Sequence, residues 1–125
     1  MKNLIIDAAN DKIVFIIITE KQSYTTTHIN SRENFDNFTK LLLQFIKKNK
    51  MKLEDLHNIF INQGPGKFSS IRISISIAKA ISLAKNISLF GFSTKSISNG
   101  DYNKILELYK KNLLIKDLIK PIYSS

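Results

Sequence analysis

A short loop with two glycines, a proline and a lysine is the stretch of this sequence whose residue types could do chemistry. It reads Gly64-Pro65-Gly66-Lys67, and Ser69 and Ser70 follow shortly after. Glycine tolerates positive φ and proline fixes its own φ, so the chain can turn sharply here. Ser69 or Ser70 could cap a following helix, whose free N–H groups could receive an anion. The loop is therefore either an anion-binding site or a structural turn between a strand and a helix.

The loop departs from the phosphate-binding pattern of nucleotide-hydrolysing proteins. That pattern has four residues between its glycines and a lysine followed by serine or threonine. Here Pro65 alone separates the glycines, and Phe68 follows Lys67. A small phosphate- or nucleotide-binding ATPase that uses the Gly64–Lys67 loop is the alternative function that we retain. We predict no bound cofactor.

Acid–base and metal-binding groups are sparse in the rest of the chain. His28 and His57 have no cysteine or histidine partner at metal-ligand spacing, which favours structural roles. A metal-dependent nuclease would need several carboxylates at adjoining strand ends. Asp7 ends the first predicted strand, but Asn62 and Gln63 end the next central one. We therefore predict no catalytic residue, no metal site and no enzymatic activity in this chain alone.

Length and charge limit the class of protein. The chain has 125 residues, enough for one domain with one core. Nineteen Lys and Arg against ten Asp and Glu give a net charge of +9, which favours polyanionic partners, although a merely solvated basic surface is the competing interpretation. Cysteine is absent, and no apolar run reaches the roughly 18 residues of a membrane span. We expect a cytoplasmic protein without membrane contact.

Apolar patterning predicts an α/β fold with a mixed five-stranded sheet. The order is three strands, a helix, a strand, a helix and a strand, followed by a C-terminal helix and a short extended tail. The first three strands form an antiparallel meander, of which the third is an edge strand. Strands are predicted over residues 3–9, 12–19, 23–29, 58–62 and 87–92, and helices over residues 31–50, 69–85 and 101–114.

Two of the predicted helices carry more apolar or small residues than one buried face requires. The stripe of the first helix is widened by Leu41, Leu43 and Ile46. The second helix has a ridge of small residues at every fourth position, and small side chains let two helices approach closely. We therefore predict a protein–protein interface on these helices. Its residues are Phe38, Leu42, Ser70, Ile71, Ser74, Ile75, Ala78 and Ser82.

The central motif and its flanking segments resemble the TsaB (YeaZ) family. Residues 63–72 read Q-G-P-G-K-F-S-S-I-R, where the family pattern is G-P-G-S-F-T-G-L-R-I-G. An alanine–lysine–alanine segment at 78–80 and the strand at 89–93 match the family spacing, and residues 4–7 resemble its opening strand. The likeness covers residues 1 to about 94, and the terminal residues 121–123 resemble a P-x-Y strand. We assign Gly64, Pro65, Gly66 and Arg72 to a structural loop.

The resemblance implies one lobe of the actin-like fold, which sugar kinases, Hsp70 and ribonuclease H-like proteins share. That lobe would occupy residues 1–100, and residues 101–125 would be a remnant of a second lobe packed on the same domain. The chain would thus be a shortened form. It departs from the family pattern at Lys67, where serine is usual, and at Ser70 and Ser74, where glycine is usual.

The family's function is implied in the same way. TsaB proteins are non-catalytic partners of TsaD, the enzyme that places threonylcarbamoyl on adenosine 37 of tRNAs reading ANN codons, and a TsaE ATPase joins them. Their dimers pair through the first two helices. The resemblance therefore implies an accessory subunit that pairs with a TsaD-like subunit and reaches tRNA through the complex. A TsaE-like ATPase would be a further partner, and a homodimer is the alternative pairing when the chain is alone.

Overall fold

The computed structural model describes residues 1–123, over which the chain alternates strands and helices around a mixed sheet. The fold is α/β, as the patterning predicts. The strands are β1 (Asn3–Asp7), β2 (Lys12–Ile18), β3 (Ser23–Ile29), β4 (Asn58–Asn62), β5 (Ser88–Phe92) and β6 (Ile115–Lys116). The helices are α1 (Arg32–Asp36), α2 (Phe38–Lys48), α3 (Phe68–Lys85) and α4 (Asn103–Lys110), with 3₁₀ turns at Leu53–Asp55 and Thr94–Gly100.

The sheet places the ends of its central strands together. Its order is β3-β2-β1-β4-β5-β6, in which β1, β4 and β5 run parallel and the others antiparallel to their neighbours. All five residues of β1 and of β4 are buried, so these two strands form the centre. Because parallel strands end at the same edge, Asp7, Asn62 and Phe92 meet where β1, β4 and β5 finish.

The sheet has six strands among the described residues rather than the predicted five. The extra strand, β6, pairs with β5 through Phe90↔Lys116 and Gly91↔Ile115. Its two residues are both exposed, so no alternation of apolar and polar residues marks it in the sequence. The first strand also ends earlier than predicted, because the N–H of Ala9 bonds back to Oδ1 of Asp7 and turns the chain.

The predicted first helix is two helices. Ser31 caps α1, since its Oγ accepts from the N–H of Asn34 at 3.2 Å. At Asn37 the helix is interrupted, and the Asn37 side-chain amide donates to the carbonyl of Glu33 at 2.9 Å. Asparagine side chains compete with the helical backbone in this way, which explains why one apolar stripe spans two helices.

The long helix α3 is confirmed, but its predicted cap is wrong. Its N-cap is Lys67, with no side-chain cap bond, and Ser69 and Ser70 lie within its first turn. The N–H of Lys67 donates to the carbonyl of Ala9 at 2.7 Å, which fixes the chain where the helix begins. Isoleucines at 71, 73, 75 and 77 alternate with other residues, a pattern typical of a strand, yet all four lie in this 18-residue helix.

Each face of the sheet has its own core. The larger core lies under α2 and α3 and includes Ile6, Phe15 and Phe38. On the other face, α4 packs against the sheet, and the Tyr109 ring stands edge-on to Phe60 at 5.4 Å. The helix α4 is shorter than predicted at both ends. No helix within residues 1–123 is long and apolar enough to cross a membrane.

Candidate functional site

Asp7 lies at the carboxyl end of β1 with both of its oxygens bonded. It is 2% exposed. Its Oδ1 accepts from the side-chain amide of Asn62 at 3.0 Å and from the N–H of Ala9 at 3.1 Å. Its Oδ2 accepts from the hydroxyl of Tyr102 at 2.6 Å. A buried carboxylate needs such partners, and here an amide, a backbone N–H and a phenol supply them.

Asn62 extends this network into the loop that follows β4. Its Oδ1 accepts from the N–H of Gly64 at 2.8 Å, and its amide lies 3.2 Å from Oγ1 of Thr94. The Thr94 hydroxyl donates to the carbonyl of Pro65 at 2.7 Å. The network thus joins β1, β4, the loop and the turn after β5. We refer to Asp7, Asn62, Thr94 and Tyr102 as the strand-end network.

Electrostatics keep the phenol of this network protonated. Partial burial raises the pKa of Tyr102, and its hydrogen bond to Asp7 and the negative charge of that carboxylate raise the pKa further. Tyr102 therefore acts as a hydrogen-bond donor at neutral pH. Sequence patterns do not indicate this contact, because Tyr102 stands 95 residues from Asp7 and fits an apolar helix stripe.

The loop after β4 is held by backbone contacts on two sides. Gly64 has φ +101°, a conformation that favours glycine, and its peptide bond to Pro65 is cis. A Cβ on Gly66 would stand 2.2 Å from the carbonyl oxygen of Ala9, so the close approach requires glycine. On the other side, the N–H of Ile122 donates to the carbonyl of Gln63 at 2.7 Å.

These contacts occupy groups that an anion would need. The N–H of Gly64 bonds to Asn62, and the N–H of Lys67 bonds to Ala9. The Lys67 ammonium lies 3.4 Å from the Asp11 carboxylate. The loop geometry therefore gives no support to the alternative of a nucleotide-binding ATPase. Arg72 lies outside this loop, one turn into α3, with its guanidinium 5.3 Å from the Phe68 ring centroid.

The predicted interface residues face the protein interior, so the expectation that they form an exposed ridge is wrong. Leu42, Ser74 and Ala78 are fully buried, and of the eight residues only Ser82 is even partly exposed. The remaining members are Phe38, Ser70, Ile71 and Ile75, each below a tenth exposed. Small residues occur here because α3 lies close to the sheet.

Local hydrogen bonds make this burial of serines possible. The hydroxyl of Ser74 donates to the carbonyl of Ile71 at 2.9 Å, and Ser70 donates to the side chain of Asn30 at 3.1 Å. Ser82 donates to the carbonyl of Ile87. Polar side chains satisfied in this way can pack against a sheet, which sequence spacing alone does not reveal.

The exposed face of α3 is a different row of residues. Ile73 is 40% and Leu83 is 86% exposed, and Ala80 between them is exposed as well. A groove of about 440 Å³ between α1 and α3 adjoins this row at Ile73. Its lining is Phe35, Ser69, Arg72, Ile73 and Ser76. Ile73, Ala80 and Leu83 form one exposed row, which we call the outer face of α3.

Metal-binding groups do not converge in the part of the chain that the structure describes. Within residues 1–123 no three His, Cys, Asp or Glu side chains are placed to hold one metal ion. Neither His28 nor His57 is a hydrogen-bond partner of the strand-end network within the described residues. Nδ1 of His57 accepts from the N–H of Lys2 at 3.0 Å, and the ring of His28 lies 6.3 Å from that of Phe15.

Comparison with protein families and curated sequences gives one consistent result. Residues 4–97 match the family described as "TsaD: tRNA N6-adenosine threonylcarbamoyltransferase". The chain is 32% identical over 112 residues to a protein of Buchnera aphidicola subsp. Schizaphis graminum named tRNA threonylcarbamoyladenosine biosynthesis protein TsaB. That match covers 90% of this chain and 52% of the relative, so the chain spans about half of the relative's length.

Solved structures confirm the fold. YeaZ from Pseudomonas aeruginosa superposes with a TM-score of 0.72 at 15% identity, over 89% of this chain and 49% of that one. RuvC from Thermus thermophilus, solved in complex with a Holliday junction substrate, gives a TM-score of 0.63 at 4% identity and covers 93% of this chain and 99% of its own. The predicted actin-like and ribonuclease H-like lobe is therefore the fold of this chain.

Proposed function

The chain belongs to the family described as TsaD, tRNA N6-adenosine threonylcarbamoyltransferase, and resembles the members of it named TsaB; from this membership we propose that it is a non-catalytic subunit for threonylcarbamoylation of tRNA. It would pair with a TsaD-like enzyme that modifies adenosine 37 of tRNAs reading ANN codons. A TsaE-like ATPase would join the pair. The modification would take place in the cytoplasm, where those tRNAs are.

The strand-end network is the observation that carries the non-catalytic part of this proposal. Asp7 is the carboxylate best placed for chemistry on this fold, at the end of the central strand β1. It is buried, and its partners Asn62 and Tyr102 are a neutral amide and a protonated phenol. A general acid or base needs a group within reach of substrate, and these bonds tie Asp7 to the protein interior instead. Its role is to hold the loop and α4 on the sheet.

The outer face of α3 is the surface that we assign to the TsaD-like partner. It offers the apolar side chains of Ile73 and Leu83 with the small residue Ala80 between them. Exposed apolar side chains on one helix row mark association surfaces, and a small residue lets a partner helix come close. The adjoining groove between α1 and α3 can receive a side chain of the partner.

In this proposal α4 and the tail pack on the same domain as the actin-like lobe. Residues 1–100 form the actin-like lobe, and α4 with the tail would be what corresponds to a second lobe, packed on the same domain. Ile105 of α4 is fully buried against the sheet, and Ile119 of the tail is fully buried as well. These contacts support one folding unit rather than a mobile appendage.

Co-purification with a TsaD-like enzyme tests the proposal. Ile73→Arg places a charge on the outer face of α3 and should reduce recovery of the partner at least tenfold, as unpaired charges at interface centres do. Ile115→Arg is the matched control, because Ile115 is 52% exposed on β6 and lies off this face. Sedimentation of the chain alone measures whether it forms a homodimer. Equal recovery with both variants would contradict the assigned surface, and no recovery of a TsaD-like protein by the unaltered chain would contradict the pairing.

A further inference from the structure

Two depressions, of about 510 Å³ and 300 Å³, meet at the side chain of Tyr24. The first lies at the amino ends of β1 and β4, and the second follows the edge strand β3 beside α2. Lys2, Lys21 and His57 line the first depression. Lys48 and His28 line the second. We call the two together the Tyr24 groove.

The lining of the groove carries a net positive charge. Within residues 1–123 the lysine ion pairs are made by Lys67, Lys85 and Lys104, none of which lines it. The carboxylate that does line it, Glu20, lies 3.0 Å from the N-terminal ammonium and is thereby neutralised. Lys47, Lys50 and Lys52 flank the groove in sequence beside Lys48 and Met51, which line it. Lys2, Lys21 and Lys48, which line the groove, make no ion pair within residues 1–123.

The other lining groups fit sugars and bases. Tyr24 is half-buried, and its hydroxyl bonds to the side-chain amide of Gln22. A fixed ring of this kind can stack on a base, and imidazole, amide and hydroxyl groups can bond to riboses. Gln44 and Asn49 supply amides in the second depression. A groove with lysines at its rim and an aromatic ring within it suits a phosphodiester chain better than an acidic peptide, which has no bases to stack.

From this lining we propose that the Tyr24 groove binds the phosphate backbone of RNA. The proposal rests on the proposed function, which makes tRNA the substrate of the complex. The first depression lies at the opposite end of the strands from the loop at residues 62–67. The second depression is lined by β3 and α2 rather than by the outer face of α3, so the TsaD-like partner and RNA can be held together.

Fluorescence anisotropy with a labelled, unmodified tRNA transcript tests the groove. The full chain is titrated at several salt concentrations, since each lost phosphate contact lowers the salt slope by about 0.7 to 0.9. Replacing Lys2, Lys21 and Lys48 together by glutamine should weaken binding by about tenfold or more and reduce that slope by about two. The matched control replaces three exposed lysines of the opposite side by glutamine. They are Lys95, Lys110 and Lys111.

The control variant shows whether RNA binds at the groove or whether any loss of three positive charges weakens binding. If both triple variants weaken transcript binding equally, or if neither weakens it, the Tyr24 groove is not the RNA-binding site. Tyr24→Phe keeps the ring and should bind as the unaltered chain does, whereas Tyr24→Ala should weaken binding without changing the salt slope. If polyglutamate at equal charge concentration displaces the transcript, the ligand of the groove is an acidic protein and the assignment to RNA is wrong.

Two further readouts separate this inference from the proposed function. Recovery of the TsaD-like partner should be unchanged in the groove variant, because the outer face of α3 is intact. If modification in cells depends on the chain but the groove variant binds RNA normally, the groove assignment fails and the proposed function stands. If modification does not depend on the chain, the proposed function fails, and loss of transcript binding in the groove variant would still support the groove.

Discussion

The hydroxyl of Tyr102 donates a 2.6 Å hydrogen bond to Oδ2 of Asp7, across 95 residues of chain. It joins α4 and its preceding turn to the end of β1, at the centre of the sheet. Both carboxylate oxygens of Asp7 are therefore bonded within the protein.

Tyr102→Phe should destabilise the chain by about 1 to 3 kcal/mol, because Oδ2 of the buried Asp7 then loses its donor. Urea unfolding at pH 7 measures the change. Tyr123→Phe is the matched control, since Tyr123 is 69% exposed, and it should change the free energy of unfolding by less than about 0.5 kcal/mol. Equal effects of the two substitutions would show that the bond to Asp7 does not stabilise the fold.

The same bond predicts a stability change at alkaline pH. The pKa of Tyr102 is raised in the folded state, by burial first and then by Asp7, so the protonated phenol stabilises the folded chain. This contribution is complete below the unfolded pKa of about 10 and is lost as pH rises through the higher folded pKa. Unfolding free energies above pH 10 should therefore fall more in the unaltered chain than in Tyr102→Phe. Parallel curves for the two proteins would contradict this.

Gly66→Ala should destabilise the chain by about 1 to 3 kcal/mol, as overpacking does. The new Cβ would meet the carbonyl oxygen of Ala9 at 2.2 Å, and backbone must move to relieve the contact. Ser69→Ala, at an exposed position three residues later, is the control and should stay within about 0.5 kcal/mol of the unaltered chain. Thermal unfolding compares the two. A neutral Gly66→Ala would mean that the loop does not lie against Ala9.

Two alanines of α3 should respond in opposite ways to the same substitution. Ala78 is fully buried, so Ala78→Arg should cost about 4 kcal/mol or more of folding stability. Ala80 is exposed on the outer face, so Ala80→Arg should cost less than about 1 kcal/mol while recovery of the TsaD-like partner falls. Unfolding and co-purification are measured on both. A stable Ala78→Arg variant, or an Ala80→Arg variant that unfolds, would contradict the assignment of the buried and exposed faces of α3.

The spacing of apolar and polar residues correctly predicted several strands and helices. The strand β3 is one, because Tyr24, Thr26 and His28 alternate with exposed residues. The length of α3 is another, since its alanines continue a helical stripe. The fold class was predicted from such elements, and the family resemblance was carried by the loop at residues 63–72.

The faces of α3 could not be predicted in this way. A row of small residues indicates a close approach but not what approaches, and here the sheet does. The row Ser70, Ser74 and Ala78 is therefore interior, and the prediction of an exposed ridge was wrong. The break at Asn37 and the short strand β6 depend on one side chain and on two exposed residues. Such features have no periodic signal.

The strand-end network lay beyond local reasoning for a different reason. Asp7, Asn62, Thr94 and Tyr102 come from four separate segments, and only the sheet order brings them together. Asp7 and Asn62 could be placed at adjoining strand ends from the sequence. The hydroxyl partners could not, because threonine and tyrosine are common in turns and on helix stripes.

Nucleoside analysis of tRNA by mass spectrometry, after depletion of this chain in its native cells, tests the central claim most directly. Threonylcarbamoyladenosine should fall in tRNAs reading ANN codons and should return on expression of the unaltered chain. Ala80→Arg should fail to restore it, whereas Leu113→Arg, at a residue 64% exposed after α4, should restore it fully. Unchanged threonylcarbamoyladenosine in depleted cells would contradict the assignment to this modification.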